Sequence, residues 1–111
     1  MKKFCLALDL VDDPKLIAEY EHWHQSVWPG IIQRIRASGI DELQIYRFGN
    51  RLVMLIEAAD SFKFEEKARM DADDPMVQEW EALMWKYQQP VPGAAPGEKW
   101  IIMNKIFDLN S

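Results

Sequence analysis

Two Asp-Asp-Pro triplets, Asp12-Asp13-Pro14 and Asp73-Asp74-Pro75, constrain this chain most. An aspartate accepts from the free N–H groups of a first helical turn, and proline at the first helical position lacks an N–H that would have no partner. Each triplet therefore opens a helix. Upstream of the first, residues 3–11 read as a strand, with Phe4, Leu6, Leu8 and Leu10 alternating with smaller or polar residues. The first helix runs to about Ser38 and stops at Gly39. Pro29 lies inside it, removes a bond to the Gln25 carbonyl, and predicts a kink or short break near Val27–Trp28.

Strands over about 41–48 and 51–59 flank Gly49-Asn50, a tight-turn pair. A helix from Asp60-Ser61 to about Met70 follows, then one from Pro75 to about Tyr87. Residues 88–98 hold three prolines and two glycines and read as an irregular loop, and 99–107 form a last strand. The order is β-α-β-β-α-β with the second helix split: an α+β, ferredoxin-like arrangement in a single domain over 1–111.

The strands are apolar on both faces. Leu52, Met54 and Ile56 oppose Val53 and Leu55, and Trp100 and Ile102 oppose Ile101, Met103 and Phe107. Helices can cover only one face, so the other requires a cover. A second copy of the chain supplies it most simply, which predicts a homodimer packed sheet on sheet.

Composition excludes several classes. A net charge of −5 opposes nucleic-acid binding. The single cysteine, Cys5, cannot form an internal disulfide and lies in an apolar run, as a buried reduced thiol would. There is neither a signal-peptide pattern nor an apolar run of membrane-spanning length, so the expected location is cytoplasmic, with no membrane partner. No Gly-rich phosphate loop, Ser-His-Asp order or Cys-x-x-Cys pair is present.

Chemistry concentrates at Tyr20, His24 and Trp28, spaced i, i+4 and i+8. On one helix they share a stripe with Ile17, Ile31 and Ile35. A lone histidine on such a face is commonly a core residue. Between two amphipathic aromatics, beside a helix break, it also suits acid–base work, since an ordinary imidazole titrates at about 6.5. His22 points about 200° away round the helix, and His-x-His spacing cannot hold one metal, so no metal site is expected. Asp71, Asp73 and Asp74 read as helix caps. Asp9, Glu57 and Lys105 are charges within apolar strands; burying a charge without a partner is costly, so some of them are expected to face an interior polar cavity. Trp80, Trp85 and Tyr87 read either as core or as a surface for stacking on a sugar. Gln44 and Tyr46 share a sheet face, from which Tyr46 could reach a site between sheet and helix.

The spacing Glu19-Tyr20-x-x-x-His24-x-x-x-Trp28-Pro29 after a short first strand resembles the L-rhamnose mutarotase family. The likeness extends to Gly39, Ile45-Tyr46 and Gln78-x-Trp80 and covers nearly the whole chain. It implies a dimeric α+β barrel that interconverts the anomers of a 6-deoxy-hexose monosaccharide without metal or organic cofactor. His24 matches the family's proton donor, and Tyr20 and Trp80 match residues lining the sugar site. Trp28 would add to the stacking wall and Tyr46 would orient hydroxyls. The rhamnose enzymes carry tyrosine where this chain has Leu43, and tryptophan where it has Glu81. Glu81 at a sugar-contact position suits a differently placed hydroxyl, so L-fucose stands beside L-rhamnose as substrate. Fold alone leaves a ligand-binding module and a cofactor-free monooxygenase as alternatives.

Overall fold

In the computed structural model, which describes residues 1–110, strand β1 (Lys2–Leu10) runs through an antiparallel sheet. On one side β3 (Arg51–Ala58) pairs with it along its length, with Leu6 opposite Met54 and Leu8 opposite Leu52. β2 (Ile40–Phe48) pairs in turn with β3. On the other side two short strands divide β1 between them. β4 (Gln88–Gln89) takes Asp9 and Leu10, and β5 (Ile101–Ile102) takes Leu6 and Ala7. The sheet order is that of a ferredoxin-like fold whose fourth strand has been cut in two.

Four helices cover one face: α1 (Pro14–His24), α2 (Pro29–Ala37), α3 (Phe64–Ala72) and α4 (Pro75–Trp85). The two Asp-Pro starts hold. Asp13 accepts from the backbone N–H groups of Lys15 at 2.9 Å and Leu16 at 3.3 Å, and Asp74 accepts from Met76 at 3.0 Å. Pro29 produces a complete break rather than a bend. Residues 25–28 leave the helix, Pro29 becomes the first residue of α2, and the Trp28 carbonyl accepts from Ile31 at 2.9 Å. At Gly39 the backbone turns with φ of 101°, a value that side chains oppose, and β2 begins at the next residue.

The core forms between helices and sheet in two clusters. One joins Leu10 and Leu52 to Tyr20, Ile31, Val77 and Trp80, and the other joins Leu6, Ile40, Ile56 and Ala58 to Phe62. Leu8 and Leu10 are wholly buried, each contributing roughly 1.5–3 kcal/mol of hydrophobic stabilisation. No helix among the described residues is long and apolar enough to cross a membrane.

Three boundaries differ from the sequence reading. The helix expected from Asp60-Ser61 begins only at Phe64, because Phe62 turns inward onto Phe4 and Phe64, with ring centroids 5.9 and 5.0 Å away. The expected loop at 88–98 opens with β4. The strand expected over 99–107 is limited to Ile101–Ile102. The Met103 N–H still donates to the Cys5 carbonyl at 2.8 Å, but beyond it Ile106 is 96% exposed. A strand that leaves the sheet edge has neither ladder bonds nor packing to hold its pattern.

None of Asp9, Glu57 and Lys105 faces the interior between helices and sheet, where a polar cavity was expected to hold some of them; each is instead held by an ion-pair partner. Arg51 grips the buried Asp9 carboxylate through both Nε and Nη2, Glu57 pairs with Lys3 at 3.5 Å, and Lys105 pairs with Asp108 at 2.9 Å.

Candidate active site

A cavity of about 540 Å³ lies between the helices and the sheet. Leu43 and Ile45 of β2 and Met54 of β3 form its sheet side. Tyr20, His24 and Trp80 form the helix side, and Trp100 and Ile102 close one flank. This size and mixed lining suit a small ligand.

His24 is the last residue of α1, one turn beyond Tyr20. Its ring stands 4.3 Å from the Tyr20 ring at 37°, and 6.0 Å from Trp80 at 65°. His24 Nδ1 lies 2.9 Å from the Tyr20 carbonyl oxygen. A carbonyl can only accept, so Nδ1 carries a proton and the neutral ring keeps its lone pair on Nε2. The helix end and the carbonyl together fix both the tautomer and the ring orientation.

Tyr20 is 3% exposed, and its hydroxyl oxygen accepts from Gln88 Nε2 at 3.2 Å. Burial pushes the phenol up to about 12, against a smaller lowering by Gln88. Tyr20 therefore remains a neutral O–H donor across the physiological range.

Trp80, in α4, is held by Trp28 at 5.0 Å and 66°, and by Trp23 at 6.5 Å and 88°, both edge-on. Trp23 is fixed in turn by donating from Nε1 to the Tyr87 hydroxyl at 3.2 Å. Such tilted aromatic pairs are favourable beyond their buried area.

Charged groups border the cavity. Lys67 and Asp71 pair at 2.6 Å on α3, and Arg34, Glu81 and Lys99 also line it. Glu81 has no hydrogen-bond or ion-pair partner among the described residues. Lys99 lies over the Trp85 ring, 4.9 Å from its centroid.

The sequence-derived site is thus partly brought together. Tyr20, His24, Trp80 and Glu81 line one cavity. Trp28 does not: the break before Pro29 takes it off the Tyr20–His24 stripe, and it packs behind Trp80 instead. Tyr46 does share a face with Gln44, but that is the sheet face away from the helices, where Tyr46 is 58% exposed and cannot reach the cavity. Its neighbours Leu43 and Ile45 point inward, since side chains alternate along a strand. Among the acidic cluster only Asp74 accepts from a helix's first turn, while Asp71 faces the cavity with Lys67.

Sequence reasoning missed Gln88, Lys67 and Lys99. Gln88 and Lys99 sit in or beside the expected loop, and no local signal marks them. The spacing of Lys67 and Asp71 is that of a helical ion pair and was available. Among the described residues no three His, Cys, Asp or Glu side chains cluster as a metal site would require.

A family model described as L-rhamnose mutarotase matches residues 3–109. An L-fucose mutarotase from Xanthomonas campestris is 48% identical over 112 residues, covering 99% of this chain and 90% of that protein. A UPF0734 protein from Dictyostelium discoideum is 34% identical over 116 residues, covering 98% of this chain and 90% of that one. Among solved structures, the L-rhamnose mutarotase of Formosa agariphila superposes with a TM-score of 0.72 at 19% identity, covering 98% of this chain and 99% of that one. Tetracenomycin F2 cyclase from Streptomyces glaucescens, a type-II polyketide cyclase, superposes with a TM-score of 0.62 at 18% identity, covering 100% and 99%. At these identities the two structures attest a shared fold, and a shared fold does not decide chemistry.

Proposed function

This chain belongs to the L-rhamnose mutarotase family, and from that premise we propose that it is a sugar 1-epimerase that interconverts the α and β anomers of a 6-deoxy-L-hexose. L-Fucose is the preferred substrate. The 48%-identical relative is named for that sugar, and the cavity carries Leu43 and an unpartnered Glu81 at the two positions where the resemblance to the rhamnose enzymes implies aromatic side chains.

The observation that carries the mechanism is the 2.9 Å contact between His24 Nδ1 and the Tyr20 carbonyl. With Nδ1 protonated, Nε2 is a base in the neutral ring and an acid once protonated. It takes the proton of the anomeric hydroxyl as the bond between C1 and the ring oxygen breaks. It returns that proton to the ring oxygen, giving the open-chain aldehyde. Rotation about the C1–C2 bond presents the other carbonyl face. The hydroxyl at C5 then attacks C1, its proton passes to Nε2, and Nε2 gives it to the new anomeric oxygen. Both oxygens are bonded to C1 in the closed sugar, so one nitrogen serves both with a small displacement. No net proton or electron is exchanged, and no cofactor is required by this scheme.

Tyr20 supplies a neutral donor to a sugar oxygen, and its raised pKa supports that role. Trp80 gives an apolar wall against the C–H face of the ring. Glu81 accepts from a sugar hydroxyl. The working unit is a homodimer in which a second copy covers the sheet face bearing Tyr46, Phe48 and Leu55. Exposed apolar side chains on that face, and in the segment holding Ile106 and Phe107, support it. The enzyme works in the cytoplasm, a location its lone unpaired cysteine suits.

Saturation-transfer NMR between anomeric protons, with L-fucose and L-rhamnose run in parallel, tests the reading. Fast exchange of L-fucose, slower exchange of L-rhamnose and loss of both in His24→Ala are expected. Exchange at the uncatalysed rate with both sugars would refute it.

A further inference from the structure

Gln88 sits where nothing in the sequence marks a functional residue, at the start of a loop rich in proline and glycine. Its backbone is nevertheless fixed. It stands opposite Leu10 in the β1–β4 ladder, and beside it the Tyr87 carbonyl accepts from the Val11 N–H at 2.8 Å. Because Leu10 points into the core under the helices, the register aims Gln88 to the same side, and it lines the cavity. Its side-chain amide makes one hydrogen bond among the described residues, the 3.2 Å donation from Nε2 to Tyr20 Oη.

The direction of that bond has a consequence for Tyr20. A phenol has one proton to give. When Gln88 occupies a lone pair on Oη, the Tyr20 O–H is left unspent, and Tyr20 donates to no other described residue. We infer that Gln88 is a positioning residue that sets the polarity of Tyr20, holding its oxygen as an acceptor so that its proton is presented to the sugar. This role rests on the mutarotase reading above. Gln88 acts through Tyr20 and need not touch the reacting atoms.

Two near-isosteric substitutions separate this role from simple packing. Gln88→Met keeps the volume and removes the donor. Tyr20 is then free to rotate, and anomer exchange should fall by roughly three- to tenfold, the range expected for one neutral hydrogen bond. Gln88→Glu keeps the shape but reverses the polarity. An ionised carboxylate can only accept, so it captures the Tyr20 proton and withdraws it from the cavity. Exchange should fall by roughly a hundredfold or more. As pH is lowered and the introduced carboxyl protonates, it becomes a donor again, so the ratio of Gln88→Glu to wild-type activity should rise. In a Tyr20→Phe background the two substitutions should become equivalent, because the group through which they act is gone.

The measurement is anomer exchange by saturation transfer across a pH series for the wild type and these variants, with folding checked by circular dichroism. A wild type that exchanges, with Gln88→Glu as active as the wild type or less damaging than Gln88→Met, would show that Tyr20 donates to Gln88 instead, and would overturn the inference alone. A folded wild type that fails to exchange either sugar removes the mutarotase reading, and this role falls with it.

Discussion

Tyr20 and His24 sit one helical turn apart with ring centroids 4.3 Å apart, and the backbone carbonyl of the first orients the imidazole of the second at 2.9 Å. A single residue therefore contributes a phenol to the cavity through its side chain and sets the histidine tautomer through its main chain. The carbonyl contact survives substitution of the Tyr20 side chain, so the two contributions can be separated by mutation.

His24→Ala should reduce anomer exchange by roughly 10²- to 10⁴-fold, the usual range for removing a general acid–base group. His24 lies at a helix end, so the fold should persist. Circular dichroism should match the wild type, and sugar-dependent tryptophan fluorescence should still report binding.

Tyr20→Phe retains the ring and the carbonyl contact and removes the donor, so exchange should fall while the protein stays folded. The substitution also changes alkaline stability. The Tyr20 phenol is raised from 10.0 to about 12 in the folded state. Stability tied to its neutral form is fully present below about pH 10, where folded and unfolded states both hold the proton. As pH rises from about 10 to 12 the unfolded state loses its proton first, and stability declines by on the order of 3 kcal/mol. Thermal melts across this window should show that decline in the wild type and a shallower one in Tyr20→Phe.

Trp80→Ala and Trp28→Ala should differ in kind. Trp80 is buried and contacts both His24 and Trp28, so truncation should destabilise by about 3–5 kcal/mol and abolish sugar binding. Trp28 lies behind Trp80 and outside the cavity lining. Its truncation should lower the melting temperature and weaken sugar binding only through Trp80. Urea titration with parallel binding measurements separates the two effects.

Glu81→Gln preserves shape and replaces a charged acceptor by a neutral amide. Affinity for L-fucose should fall by roughly tenfold, as expected when a charge-assisted hydrogen bond becomes a neutral one. An unchanged affinity, read by titration calorimetry, would place Glu81 outside the sugar contacts.

Leu55→Asp places a charge in the middle of the sheet face that the helices leave open. A dimer that covers this face should dissociate to folded monomers in sedimentation equilibrium, because an unpaired buried charge is strongly unfavourable. Persistence of the dimer would locate its interface elsewhere.

The elements legible in the sequence were those with local causes. Asp13 and Asp74 begin α1 and α4 because a carboxylate beside a proline satisfies free N–H groups within its own turn. Gly49-Asn50 joins β2 to β3, and alternation in β1 marks Leu6, Leu8 and Leu10 as core. Tyr20 and His24 were legible as an aromatic and a histidine on one helix face, and Trp80 and Glu81 through the family pattern. What failed depended on partners distant in the chain. Spacing alone put Trp28 with His24, but the break before Pro29 rotates it away. Tyr46 was legible as a strand residue, yet which face of β2 meets the helices is decided by packing, and a one-residue shift reverses every side chain. Gln88 reached the site because β4 pairs with β1 through a register no local signal encodes. Local hydrogen bonds and side-chain periodicity are written in adjacent residues. The facing of a strand, the end of an edge strand and the company of a cavity side chain are set by long-range burial, which only the folded chain decides.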